Sequence, residues 1–82
     1  MEKMNEIQST QLTSLWKTTQ KYCRISLTKD MFGMWMVVRQ WGVLESERYK
    51  EKTKSYSDYS SALGDYRSAE RRRKSEGYSE SG

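Results

Sequence analysis

An α+β fold, a small antiparallel sheet of three to five strands with one C-terminal helix packed on one face, follows from three features of the sequence. The first half to two-thirds carries segments in which apolar and polar side chains alternate, the period of a half-buried strand. The last third changes to a period of 3.6, that of an amphipathic helix. The chain has 82 residues, which is room for one domain. A chain of this size buries only about 60% of the surface its unfolded form exposes, so its apolar residues must share a single core. Three Trp, six Tyr and five Met are available for it.

Residues 1–10 are mostly polar and show no period, which predicts a flexible N-terminal arm before a domain spanning 11–78. From Leu12 to Lys17, the positions of Leu12, Leu15 and Trp16 fit a helix. The stretch is short, with Thr in and around it, and a first strand is favoured. Tyr22 to Thr28 alternates well, with Cys23, Ile25 and Leu27 on one side and Tyr22, Arg24, Ser26 and Thr28 on the other. Asp30 and Gly33 mark a turn. Met34 to Trp41 is a near-continuous apolar and aromatic run, which reads as a central strand covered on both faces and interrupted by Gly42. Arg48 to Tyr56 alternates again, with Arg48, Lys50, Lys52 and Lys54 forming a basic outer stripe. Tyr59, Ala62, Leu63, Tyr66 and Ala69 then form one stripe of a helix, with Ser57 or Asp58 as N-cap. Gly77 followed by Tyr78 fits a left-handed cap whose aromatic ring folds back on the helix. Residues 79–82 are expected to be a disordered tail.

Composition excludes several classes of function. There is no His, which removes Ser-His-Asp and Cys-His catalysis and histidine-ligated metals. The single Cys23 can form neither an internal disulfide nor a metal cluster, and its place on the apolar side of a strand predicts a buried, inert thiol. Asp30, Asp58 and Asp65 are scattered over turn, cap and helix, and nothing pairs them into a catalytic or metal-binding set. No catalytic residue, metal or cofactor is expected. The longest apolar run, Met34 to Val38, is far short of the roughly 20 residues that cross a membrane. The polar N-terminus does not read as a signal peptide, so a cytoplasmic protein with no membrane partner is expected.

What remains is a basic binding module. Fifteen Lys+Arg against eleven Asp+Glu give a net charge of +4. Cations at every second strand position lie about 6.6–7 Å apart, close to the spacing of phosphates along one strand, although lysines on an edge strand also serve simply to block unwanted pairing. Arg67, Arg71, Arg72, Arg73 and Lys74 load the end of the helix with charge that suits its dipole. Trp41 has two readings, an aromatic closing the end of the core beside Trp35 or a flat platform for stacking on a sugar or base.

Met31 to Gly42 reads Met-Phe-Gly-Met-Trp-Met-Val-Val-Arg-Gln-Trp-Gly, preceded by Lys-Tyr-Cys-Arg-Ile-Ser-Leu and followed by a helix ending in Lys-Ser-Glu-Gly-Tyr. In that order and spacing the chain resembles the WGR domain family, most of all its short stand-alone bacterial members, over about Tyr22 to Tyr78. The resemblance implies a small antiparallel sheet with one helix. Members found in eukaryotic poly(ADP-ribose) polymerases bind DNA ends, with the motif Trp stacking on the sugar-phosphate backbone. Carried over, that Trp is Trp41, and the Gly that lets the chain turn is Gly42. The third motif position, normally Arg, is Val43 here, and the following turn, Leu44-Glu45-Ser46-Glu47, holds two carboxylates that would repel a phosphate. The implied function is a non-catalytic module contacting DNA backbone, at ends or breaks, through Trp41, Gly42, Arg39, Arg48, Lys50, Lys52, Lys54 and Arg71. The alternative is a protein-interaction or regulatory module that kept the fold and lost DNA binding. The charge around Trp41 discriminates between them.

Overall fold

The computed structural model describes residues 10–81. Its elements are β1 (Leu12–Lys17), β2 (Lys21–Lys29), β3 (Trp35–Val43), β4 (Tyr49–Tyr56), α1 (Tyr59–Ser75) and β5 (Ser79–Ser81). The strands make one antiparallel sheet in the order β4-β3-β2-β1-β5, and α1 packs on one face of it. The expected fold class is the observed one. Most of the expected N-terminal arm, residues 1–9, lies outside the described residues.

Local chemistry sets the hairpins. In the β1–β2 turn, Thr18 Oγ1 accepts from the backbone N–H groups of Gln20 (3.2 Å) and Lys21 (2.9 Å). In the β2–β3 turn, Asp30 Oδ1 accepts from the N–H groups of Phe32 and Met34, both at 2.8 Å. Gly33 follows at φ +87°, a conformation that side chains with a Cβ rarely adopt.

Register then decides what faces α1. Cys23 lies opposite Trp16 and Trp41, Ile25 opposite Ser14 and Arg39, and Leu27 opposite Leu12 and Val37. The buried cluster is Trp16, Cys23, Ile25, Leu27, Trp35 and Val37 from the sheet, with Ala62, Tyr66 and Ala69 from the helix. Two of the buried helix residues are alanines, which lets α1 approach the sheet closely. Tyr59 and Leu63, expected in the same stripe, are only partly buried at its margins. Ser14 is the buried polar side chain on this face, and its Oγ accepts from Trp16 Nε1 at 2.9 Å, so the indole N–H is satisfied inside the core.

Three expectations are corrected. First, β3 is covered on one face only. Met36 and Val38 lie half-buried on the open face, sheltered laterally by strands on both sides rather than by a second layer. Second, the lysines of β4 form an exposed stripe, but not on the face away from the core. Lys50, Lys52 and Lys54 lie opposite Trp41, Arg39 and Val37, and so on the helix side. Third, residues 79–81 are not tail but β5, paired with β1 through Ser81–Leu15, Glu80–Trp16 and Ser79–Lys17. The Ser-Glu-Ser sequence carries no apolar pattern. The strand exists because the helix cap reverses the chain beside β1: Gly77 stands at φ +95°, its N–H donates to Lys74 O, and Tyr78 N–H donates to Arg73 O.

At the other end of the helix Asp58 is the N-cap, its Oδ2 accepting from Ser61 N–H at 2.9 Å. That bond, reinforced by the Ser61 hydroxyl, holds the Asp58 carboxyl below its ordinary pKa. A carboxyl depressed in the folded state adds stability above its unfolded pKa and loses it as pH falls through the folded value. Asp58→Asn keeps a capping oxygen without the charge. The variant is therefore expected to match the parent near neutral pH and to lose less stability between about pH 5 and pH 2, as urea unfolding at several pH values will show. Ile25→Ala is expected to destabilise by about 2–5 kcal/mol. Leu63→Ala is expected to lose less, because Leu63 sits at the margin of the helix contact; the reverse order in denaturant midpoints would mean that α1 presents another face.

Candidate nucleic-acid interface

Where β3 ends, an open groove of about 920 Å³ lies between the sheet and the C-terminal turns of α1. Trp41 lines it and also packs against the buried cluster. Lys50 lies opposite Trp41 on β4, and Lys21 lies opposite Val43 on β2, which places both cations on the Trp41 face. Arg48 comes from the β3–β4 loop, Arg73 from the last turns of α1, and Tyr78 from the turn into β5.

The loop beside the groove is tied down. Leu44 N–H donates to Gln20 O at 2.8 Å, joining it to the β1–β2 turn. Ser46 N–H donates to Val43 O (3.1 Å), and Ser46 Oγ accepts from Arg48 N–H at 3.1 Å. Ser46 and Arg48 line the groove; Glu45 and Glu47 are exposed and are not part of its lining. The lining holds four cations, Lys21, Arg48, Lys50 and Arg73, and one carboxylate, Glu76. Glu76 accepts from Arg73 Nη1 at 2.9 Å. The Arg73 guanidinium also lies 5.6 Å from the centre of the Tyr78 ring, and its Nε is buried with no hydrogen-bond acceptor among the described residues.

Gly42 does not end β3 and does not turn the chain. It lies within the strand, paired with Tyr22 and Tyr49. Its requirement is for space. A Cβ there would meet Arg48 O at 2.9 Å and the Tyr22 ring at 3.3 Å, so only glycine lets the loop backbone and the Tyr22 ring close over the strand end.

The residues expected at a nucleic-acid surface divide into three groups. Trp41, Gly42, Arg48 and Lys50 come together at the groove. Lys52 and Lys54 continue from Lys50 along the same face of β4, while Glu51 points to the opposite face and accepts from Gln40 Nε2 at 2.8 Å. Arg39 and Arg71 stand elsewhere. Arg39 Nη2 is 2.9 Å from Asp65 Oδ1, and the pair is largely buried at 15% and 13% exposure. Tyr56 OH donates to the other Asp65 oxygen at 2.8 Å, which raises the phenol pKa. Arg39 is thus held in a link between helix and sheet. Arg71 lies on the far flank of α1, beside Trp16, Arg67, Lys74 and Glu80. Lys21, Arg73 and Tyr78 were not expected at the site. The Gly-Tyr cap signal was enough to fold Tyr78 back toward the helix, but no local pattern brings Lys21 to Trp41.

Cys23 is fully buried, and burial pushes its thiol pKa up. Among the described residues no group of three His, Cys, Asp or Glu side chains is placed to hold a metal, and no helix is long and apolar enough to cross a membrane.

A family model for the WGR domain matches residues 7–82. The chain belongs to the WGR domain family. WGR domains are small binding modules of the nucleic-acid-binding type rather than catalytic ones. No curated protein and no solved structure matches the chain. In this WGR domain the naming tripeptide is Trp41-Gly42-Val43, and Val43, 49% exposed, lines the groove where the family places an Arg. Gly42→Ala is expected to destabilise by about 1–3 kcal/mol, because the new methyl must displace the Arg48 carbonyl. Backbone amide shifts should then change at residues 43–48 and at Tyr22 while the helix signals stay in place.

Proposed function

We propose that this WGR domain is a non-catalytic DNA-binding module that grips the sugar-phosphate backbone in and beside the Trp41 groove. The observation that carries this reading is the convergence of Lys21, Arg48, Lys50 and Arg73, from four different parts of the fold, on the half-exposed face of one Trp. Phosphate contacts supply most sequence-independent affinity, and a flat aromatic can stack on a sugar or base beside them. The charge that Val43 does not carry is supplied from Arg48, Lys50 and Arg73. Lys52 and Lys54 extend the cationic surface along β4.

A protein-interaction role has one observation in its favour. Val43 and Leu44 are exposed apolar side chains beside the groove, 49% and 42% exposed. A salt titration separates the two. With a short DNA, affinity should fall steeply as salt rises. Lys50, Lys52 and Lys54 changed together to Gln should flatten the log–log slope by up to about one unit for each phosphate left without its cation. Trp41→Ala should weaken binding without changing that slope. A folded protein with no DNA affinity at low ionic strength would leave the protein-interaction reading in its place.

A further inference from the structure

We propose that the helix-side edge of the sheet is a track for one single strand of nucleic acid. It runs from Trp41 along Lys50, Lys52 and Lys54 to a second stacking residue, Phe32, at the opposite end of β3. The proposal rests on the nucleic-acid reading above and narrows it to an unpaired strand.

Phe32 is 85% exposed and its neighbour Met31 is 89% exposed. They stand side by side on one turn, and the backbone of that turn is held by hydrogen bonds. Asp30 Oδ1 takes two backbone N–H groups, Asp30 N–H donates to Met34 O at 2.8 Å, and Gly33 N–H donates to Asp30 O at 3.2 Å. A ring displayed on a pre-ordered turn loses little conformational freedom on contact, as a stacking platform should.

The cations between the two aromatics form one file. Lys50, Lys52 and Lys54 lie opposite Trp41, Arg39 and Val37, all on the helix side of an exposed edge strand. Lys29 lies on the same face but on β2, across β3 from the file, at the start of the turn that bears Phe32, its Nζ 5.6 Å from the centre of the Trp35 ring. The carboxylates near this path are engaged. Asp65 is held by Arg39 and Tyr56, Asp58 caps α1, Asp30 closes the turn, and Glu51 points to the other face. A single file of cations follows one backbone. Bases can stack on the aromatic at each end only if they are unpaired, which excludes the interior of a duplex.

The span sets a site size. Phe32 and Trp41 are nine residues apart in the chain. At about 3.3 Å per strand residue they are separated by at most about 30 Å. At roughly 6–7 Å between successive phosphates of one extended strand, that distance holds about four or five nucleotides, the low end of known single-strand site sizes.

Fluorescence anisotropy tests this with labelled oligo-dT of two, four, six and eight nucleotides and a blunt duplex, all at low salt. Affinity should rise with length, level off near six nucleotides, and exceed that for the duplex by about tenfold. Phe32→Ala should weaken dT8 roughly tenfold and leave dT2 unchanged, whereas Trp41→Ala should weaken both. Phe32→Tyr, which keeps the ring, should restore dT8 binding. An unchanged melting temperature would confirm that the exposed Phe32 is dispensable for folding. Equal affinity for duplex and dT8, with Phe32→Ala neutral, would overturn the track and leave the nucleic-acid reading standing. No binding to either DNA would remove both.

Discussion

The parity of β3 governs this molecule. Side chains on a strand alternate between faces, so a side chain's face is fixed by whether its position is odd or even. Trp35 and Val37 must face α1 to be buried. The same parity carries Arg39 and Trp41 to that face and, across the ladder, Lys54, Lys52 and Lys50. Core and groove are therefore two stretches of one surface. The helix covers the first stretch, and the second emerges beyond its C-terminal turns. A slip of one residue in the β3–β4 pairing would send the lysines to the open face and turn Glu51 to the helix side.

Two devices hold α1 in place over that surface. Ala62 and Ala69 allow a close approach, with Tyr66 as the large buried side chain between them. The Asp65 carboxylate joins Arg39 of β3 to Tyr56 of β4, which fixes the rotation of the helix about its axis. Removing Arg39 or Asp65 alone would leave the other's largely buried charge without its ion-pair partner, a larger penalty than the net worth of the pair. The cap at Gly77 then does two things in one turn. It brings Tyr78 back against Arg73 beside the groove, and it directs Ser79–Ser81 into the sheet.

The family tripeptide divides its work between chemistry and space. Trp41 offers a surface that is part core and part groove. Gly42 makes room for the Arg48 carbonyl and the Tyr22 ring, which brings the β3–β4 loop, and Arg48 with it, over the strand end. With Val in the third position, positive charge reaches the groove from neighbouring elements. The two loop carboxylates, Glu45 and Glu47, stay out of the groove because the side chains that line it from this loop are those of Ser46 and Arg48.

The sequence by itself determined the elements. Period-two alternation marked β2 and β4, the 3.6 period marked α1, and Asp30-Gly33 and Gly77-Tyr78 marked turns, because each depends on side chains a few residues apart. The resemblance at Trp41-Gly42 likewise named the family from local residues. Tertiary structure alone decided which side of the sheet the β4 lysines occupy, because a basic stripe looks the same from either face until register pairs it with Val37, Arg39 and Trp41. It decided that Arg39 serves the helix contact and that Arg71 stands on the far flank, since both depend on the rotation at which α1 docks. It brought Lys21, far from Trp41 in sequence, to the groove through strand pairing. It also made a strand of Ser-Glu-Ser, whose hydrogen bonds come from the backbone of β1 and leave no mark in the side chains that a sequence displays.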